Sequence, residues 1–138
     1  MAISITSFSP NTTILSSAVN TNFTNLKTEV DDLRAEKTLS TASDAATVTF
    51  NLETSHVFTV TLGGNRTLAL SNATVGEAFV ILLKQDGTGG RTVTWFSGIS
   101  WASGVTPVLT TTASKTDIFG FICTAAGIYA GCIVGTDI

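Results

Sequence analysis

The sequence predicts a mainly β protein, an antiparallel β-sandwich or jelly-roll-like head preceded by an N-terminal arm and a short coiled-coil helix. Three observations predict it. From residue 47 onward the chain breaks into about eight or nine short stretches in which apolar and polar residues alternate, as strands with one buried face do. Dense turn signals separate these stretches, above all Gly63-Gly64-Asn65 and Asp86-Gly87-Thr88-Gly89-Gly90. Ahead of them Val19, Phe23, Leu26, Val30 and Leu33 recur at spacings of 4, 3, 4 and 3, the seam of a coiled coil.

These signals divide the chain into an arm (1–13), a helical stem (14–37), a junction (38–46) and a head (47–138). In the arm, Ile3, Ile5 and Phe8 alternate loosely with Ser and Thr until Pro10. Such a segment either docks on another protein as an added strand or has no fixed conformation. Asn11 or Thr13 stands where a helix cap is needed. Glu29, Asp31, Asp32, Arg34, Glu36 and Lys37 all fall off the stem seam, as solvated positions should. At about 1.5 Å per residue the helix is roughly 30 Å long. Five seam side chains at roughly 1.5–3 kcal/mol each barely offset the ordering cost of an isolated helix. The stem therefore follows an assembly held elsewhere. The competing reading is an amphipathic helix packed on its own domain. Val and Phe at a with Leu at d permit two or three chains.

The junction is small and polar. In the head, Val48 and Phe50 alternate with threonines, and His56, Phe58, Val60 and Leu62 share one face. Phe79 to Leu83 is apolar on both faces, which predicts a central strand. Val105 to Thr112 surrounds Pro107 and reads as an edge strand or bulge. Asp117–Cys123 and Ile128–Val134 read as a final hairpin. That register sets Cys123 near Ile128 and Cys132 near Phe119, too far apart for a disulfide within one chain. Both cysteines are expected as unpaired thiols, which suits a host cytoplasm.

Only 12% of the residues are charged, about half the usual share, and the mean hydropathy is +0.39. No stretch reaches the roughly 18–20 apolar residues of a membrane helix, so no membrane partner is expected. Met1–Thr6 has neither a basic n-region nor a long apolar h-region, so no signal peptide is expected. Burial between subunits then accounts for the low charge. The net charge is −3 without a basic stripe, which argues against nucleic acid.

Catalytic chemistry is not legible. The sole histidine, His56, lies on the apolar face of a β segment, and the carboxylates at Asp44, Glu53, Glu77, Asp86, Asp117 and Asp137 show no pairing. One His and two distant Cys make no metal cluster. The glycine-rich loop at 86–90 lacks the Lys-Ser/Thr pair and following helix of a phosphate cradle, and it reads as a hairpin turn. No catalytic residue, metal or cofactor is expected. Trp95, Phe96 and Trp101 surround a Gly-Ser loop. Trp95 and Trp101 are candidates for core packing, for a contact between subunits, or for stacking on a glycan.

The order of motifs in the second half carries a resemblance. Thr59-Val60-Thr61-Leu62-Gly63-Gly64-Asn65-Arg66-Thr67-Leu68 precedes Asn72-Ala73-Thr74-Val75-Gly76-Glu77. Lys84-Gln85-Asp86-Gly87-Thr88-Gly89-Gly90-Arg91-Thr92-Val93-Thr94-Trp95 follows, then the Trp101 loop with Pro107, Thr116-Asp117-Ile118-Phe119-Gly120-Phe121, and Gly127-Ile128-Tyr129. Over roughly residues 45–135 this resembles a β-rich module of small structural proteins of tailed bacteriophages, found in tail fibres, head fibres and capsid decoration proteins. Gln85 to Arg91 is its most specific part. The resemblance implies a homotrimer, with no family catalytic residues to carry over. The expectation drawn from it is a non-enzymatic protein of the virion surface, assembled in the host cytoplasm. It is read as a capsid decoration (cement) or short head-fibre protein whose partner is the major capsid protein, because small size suits that role. The alternative is a tail fibre or receptor-binding tip that contacts host-cell glycans.

Overall fold

The structure, a computed structural model, describes Ser7, Thr13, Leu15 and residues 16–35 and 38–138. Ile3, Ile5 and Phe8 of the expected docking arm lie outside the described residues. The chain divides into two units, Met1–Glu36 and Lys37–Ile138.

In the first unit, helix α1 spans Ser16–Ala35. The Leu15 carbonyl accepts from the amides of both Ala18 and Val19 and opens the first turn. Thr21, Thr24 and Thr28 return their hydroxyls to carbonyls four residues earlier. This settles residues that would otherwise compete with the helix. Lys27 donates to Asp31 one turn on. The seam positions face outward: Phe23 is 67% exposed, Val30 52% and Leu33 59%, with Leu26 also exposed and Val19 half-buried. Among the described residues of this unit, no other side chain covers this apolar stripe.

The second unit is mainly β, as expected, with nine strands: β1 Leu39–Thr41, β2 Thr47–Asn51, β3 Val57–Leu62, β4 Arg66–Ser71, β5 Ala78–Gln85, β6 Val93–Thr94, β7 Ile99–Trp101, β8 Thr116–Ala125 and β9 Ile128–Gly135. They form a six-stranded sheet, ordered β1-β3-β5-β8-β9-β7, and a three-stranded sheet, ordered β2-β4-β6. The interior lies between them. Val48, Phe50 and Leu52 from β2 and its end, and Leu68 from β4, join Phe58, Val60, Leu62, Ile81, Leu83 and Phe119 in one buried cluster. Phe50 and Phe58 meet across the sheets with ring centroids 5.2 Å apart.

The pairing corrects the antiparallel expectation. Odd-numbered β1, β3 and β5 are parallel neighbours in one sheet, and even-numbered β2, β4 and β6 are parallel neighbours in the other. After each of these strands the chain changes sheet, then returns beside the strand before last. The first half of the head is thus a two-sheet coil of three rungs. Only β5–β8 and β8–β9 are antiparallel, and β7 adds in parallel to β9. Inward–outward alternation has the same period in parallel and antiparallel strands, so the sequence pattern could not separate the two. Direction was inferred from turns, and glycine-rich turns serve sheet-to-sheet corners as well as hairpins.

Three further expectations change. The junction 38–46 contains β1, too short for a period-2 signal to register, and Ala42 packs on the core. Val105 to Thr112 forms no strand; it is an extended connection anchored by buried Leu109. The final hairpin is present with a register one residue from that expected, Cys123 opposite Tyr129 and Cys132 opposite Gly120. Both cysteines are free thiols, Cys123 buried and Cys132 exposed.

Polar side chains fasten the corners where ladder bonds lapse. Asp44, leaving the first rung, accepts from Arg66 through Nε and Nη2, each at 2.6 Å, and from the Gly63 amide at 3.2 Å. Asn65 accepts from the Thr92 amide at 3.0 Å. At the opposite corner Asn72 donates to Asn51 at 2.8 Å. Gly98 sits at the tightest approach: its φ is +81°, and a Cβ there would stand 2.0 Å from the Gly127 carbonyl oxygen. Gly98→Ala is expected to cost about 2 kcal/mol or more, from strain plus displaced backbone. Gly87, with open space around it, should accept alanine within about 0.5 kcal/mol. Chemical denaturation of the two variants checks the pair.

Candidate interaction surface

The segment that carries the resemblance, Gln85 to Arg91, is a self-contained corner between the two sheets and not the expected hairpin turn, because β5 and β6 belong to different sheets. Gln85 is buried and imitates a strand partner: its amide donates to the Arg91 carbonyl at 2.9 Å, and its oxygen accepts from the Arg91 N–H at 2.8 Å. Asp86 Oδ1 accepts from the amides of Thr88 and Gly89. Its Oδ2 accepts from Arg91 Nε at 3.1 Å and Nη2 at 2.7 Å. The Gly90 amide donates to the Thr111 carbonyl. The amides of Thr88, Gly89, Gly90 and Arg91 are thereby occupied and do not form a phosphate cradle. The residue at 89 must be glycine, since φ is +74° and a Cβ would meet Thr111 O at 2.5 Å.

Trp95 and Trp101 come together. Their rings meet edge to face at 4.8 Å, and Trp95 meets Phe119 at the same distance. Phe96, Phe79, Phe121 and Tyr129 extend this aromatic group. Both tryptophans are half-buried against the core, so each keeps part of its ring accessible. Trp101 lies over Gly131, where an added Cβ would be 3.0 Å from the indole ring.

The remaining feature was missed by the sequence reading. The side of the six-stranded sheet turned away from the core is itself apolar. Register aligns Val57, Val80, Gly120 and Cys132 in one row across β3, β5, β8 and β9, and Ala78, Ile122 and Ala130 in the next. Leu82 and Ile118 continue it. The small residues make a floor, and a broad open hollow of about 670 Å³ lies over them, bordered also by Trp101 and His56. Lys84, at the end of β5, is the charged residue on the outward side of these paired rows among the described residues. The signal was present: Phe79 to Leu83 is apolar at every position, but that pattern was read only as central placement.

His56 sits just before β3 at the rim of this hollow, with its Nε2 atom buried, unbonded, and 3.6 Å from Glu77 Oε1. Buried Asp117 holds two backbone amides, those of Thr110 at 2.6 Å and Asp137 at 3.0 Å, and so ties the 105–115 connection and the C-terminal residues to β8. Among the described residues no three His, Cys, Asp or Glu converge as metal ligands, and no helix is long and apolar enough to cross a membrane.

The described residues thus present a two-sheet β head with an outward apolar face and a helix with an outward apolar stripe. Residues 46–127 match the family described as "Putative phage tail fibre C-terminal domain". That match spans more than half of the chain, and the chain belongs to this family. It is a bacteriophage structural protein and a component of the virion. No curated protein and no solved structure matches it.

The corner at Asp86 makes a pH prediction. Its Arg91 partner first, then the Gly89 amide, hold its carboxyl at about 2 instead of the ordinary 3.8. A group with a depressed folded pKa contributes stability in full above its unfolded value and loses it as pH falls through the folded one. Acid unfolding of the wild type should therefore include a component between pH 3.8 and about 2. Asp86→Asn should be less stable at neutral pH and should lack that component, which denaturation midpoints measured across this range will show.

Proposed function

We propose that this chain is a non-enzymatic part of a phage tail fibre, assembled as a homotrimer. The observation that carries this reading is the family match over residues 46–127, which begins at the first rung of the head and reaches the turn of the last hairpin. It favours the tail over the capsid surface, so the tail-fibre alternative takes the place of the decoration-protein reading.

In this reading α1 is the stem. Val19, Phe23, Leu26, Val30 and Leu33 meet their counterparts from two other copies. The exposure of Phe23, Leu26, Val30 and Leu33 supports that role, because four large apolar side chains in water are otherwise unfavourable. The partners are the other copies and neighbouring tail proteins. Trp95 and Trp101 stay candidates for touching a host glycan or a neighbouring copy through the part of each ring left open. The number three comes from the resemblance.

Two measurements test the reading. Immunogold labelling of intact virions should decorate tail fibres, and label confined to the head would return the protein to the capsid. Sedimentation at micromolar concentration should give three times the 14.3 kDa chain mass. Phe23→Asp with Val30→Asp should weaken that species by at least about tenfold, since charges placed on the seam must be desolvated.

A further inference from the structure

We infer that the outward apolar face of the six-stranded sheet, centred on Gly120 and Cys132, is covered by a second copy of this chain. This rests on the reading that copies assemble, and adds where the heads meet.

The chemistry of the face selects its occupant. Its central rows contain Val57, Val80, Ile122 and the small residues Ala78, Gly120 and Ala130. A face without opposed charges at its centre can lie against its own copy with no like-charge juxtaposition. A charged or glycan partner would find almost nothing to bond there. The floor of Gly and Ala lets another backbone or a protruding side chain approach closely. Hydrophobic side chains that protrude are available on the same head: Val108 is 85% exposed and Val105 69%.

Size points the same way. Four strands at about 4.8 Å spacing and three rows about 6.8 Å apart give a face on the order of 400 Å². That is as large as the biggest apolar patch of an ordinary monomer, and about half of the ~800 Å² that each partner gives to a stable interface. Alone it is too small. The stripe of α1, exposed among the described residues, also calls for further copies.

Cys132 supplies the readout, because this exposed thiol lies in the hollow while Cys123 is buried in the core. The experiment compares the full chain with Ile122→Lys, a change at a position 43% exposed, by sedimentation and by the rate at which an aromatic disulfide reagent modifies thiols. In the assembled wild type Cys132 should react about tenfold or more slowly than in Ile122→Lys, as a covered thiol does. The variant should sediment as a smaller species with unchanged circular dichroism, and Cys123 should react in either protein only after denaturation. Ala130→Glu on the neighbouring strand gives the same comparison if Ile122→Lys does not fold.

If the wild type is an oligomer whose Cys132 reacts at the rate of the variant, the face is open. The inference then fails while the trimer reading stands. A wild type that is monomeric with a reactive Cys132 overturns both. A monomer whose Cys132 is nevertheless protected would mean that a small apolar molecule fills the hollow, and that outcome also overturns the inference.

Discussion

Alternate side chains from two sheets meet in a single interior, and every other feature of the head is arranged so that they can. Phe50 from one sheet reaches Phe58 in the other, and Leu52, Leu62, Leu68, Ile81 and Phe119 close around them with essentially no solvent contact. A two-sheet core of this kind demands that each strand present every second residue inward. It makes no demand on strand direction. The chain satisfies it by crossing between the sheets after each of its first six strands. Every inward residue then has neighbours in three directions: the facing sheet, the rung before and the rung after.

That solution leaves a difficulty at the corners. A hairpin turn is stabilised by the ladder it closes, whereas a crossing between sheets leaves backbone groups with no strand to pair with. Polar side chains reach across to neighbouring corners instead. Asp44 holds Gly63 and Arg66, Asn65 holds Thr92, Asn51 holds Asn72, and Asp117 holds Thr110 and Asp137. Gln85 shows the same principle in a buried place, where its amide substitutes for a missing backbone partner. The scattered carboxylates of the sequence therefore have work to do. Asp44, Asp86 and Asp117 organise corners by accepting from backbone N–H groups, and the first two also from a guanidinium.

The sequence revealed what depends on local periodicity. The change from a 3.6-residue to a 2-residue rhythm near residue 45 marked α1 and the strands, and β2, β3, β5 and the β8–β9 hairpin lie where alternation placed them. The central position of β5, between β3 and β8, followed from its being apolar on both faces. Strand direction was not legible, because Gly63-Gly64-Asn65 would suit a hairpin as readily as a corner. A repeat near twenty residues was visible in principle: Thr47-Val48-Thr49-Phe50 and Thr67-Leu68-Ala69-Leu70 are aligned in the structure. Such a period signals a coiled arrangement. The interaction face was illegible for a different reason. Val57 and Val80 sit side by side only because β3 and β5 are neighbours, and neighbours in a sheet are decided by the path of the whole chain. Trp95 and Trp101 stood out as conspicuous residues, yet their mutual contact depends on β7 joining β9.

The low charge can now be located. The second unit buries one face of each sheet and still leaves Ile122, Ile128, Ile133 and Val134 exposed on and around β8 and β9. A chain evolved to be alone in water would place Lys or Glu at such positions, since outward strand positions tolerate them at little cost. Arg66, Arg91 and Asp86, by contrast, are spent on corners, where their charge is tied to a partner and solvates the surface poorly. Charge is thus concentrated where it organises the backbone, sparse on the outward face of the six-stranded sheet, where Lys84 carries it, and absent from the seam of α1. Withholding it from two separate surfaces is costly for a monomer. It is a composition suited to surfaces that meet other apolar surfaces.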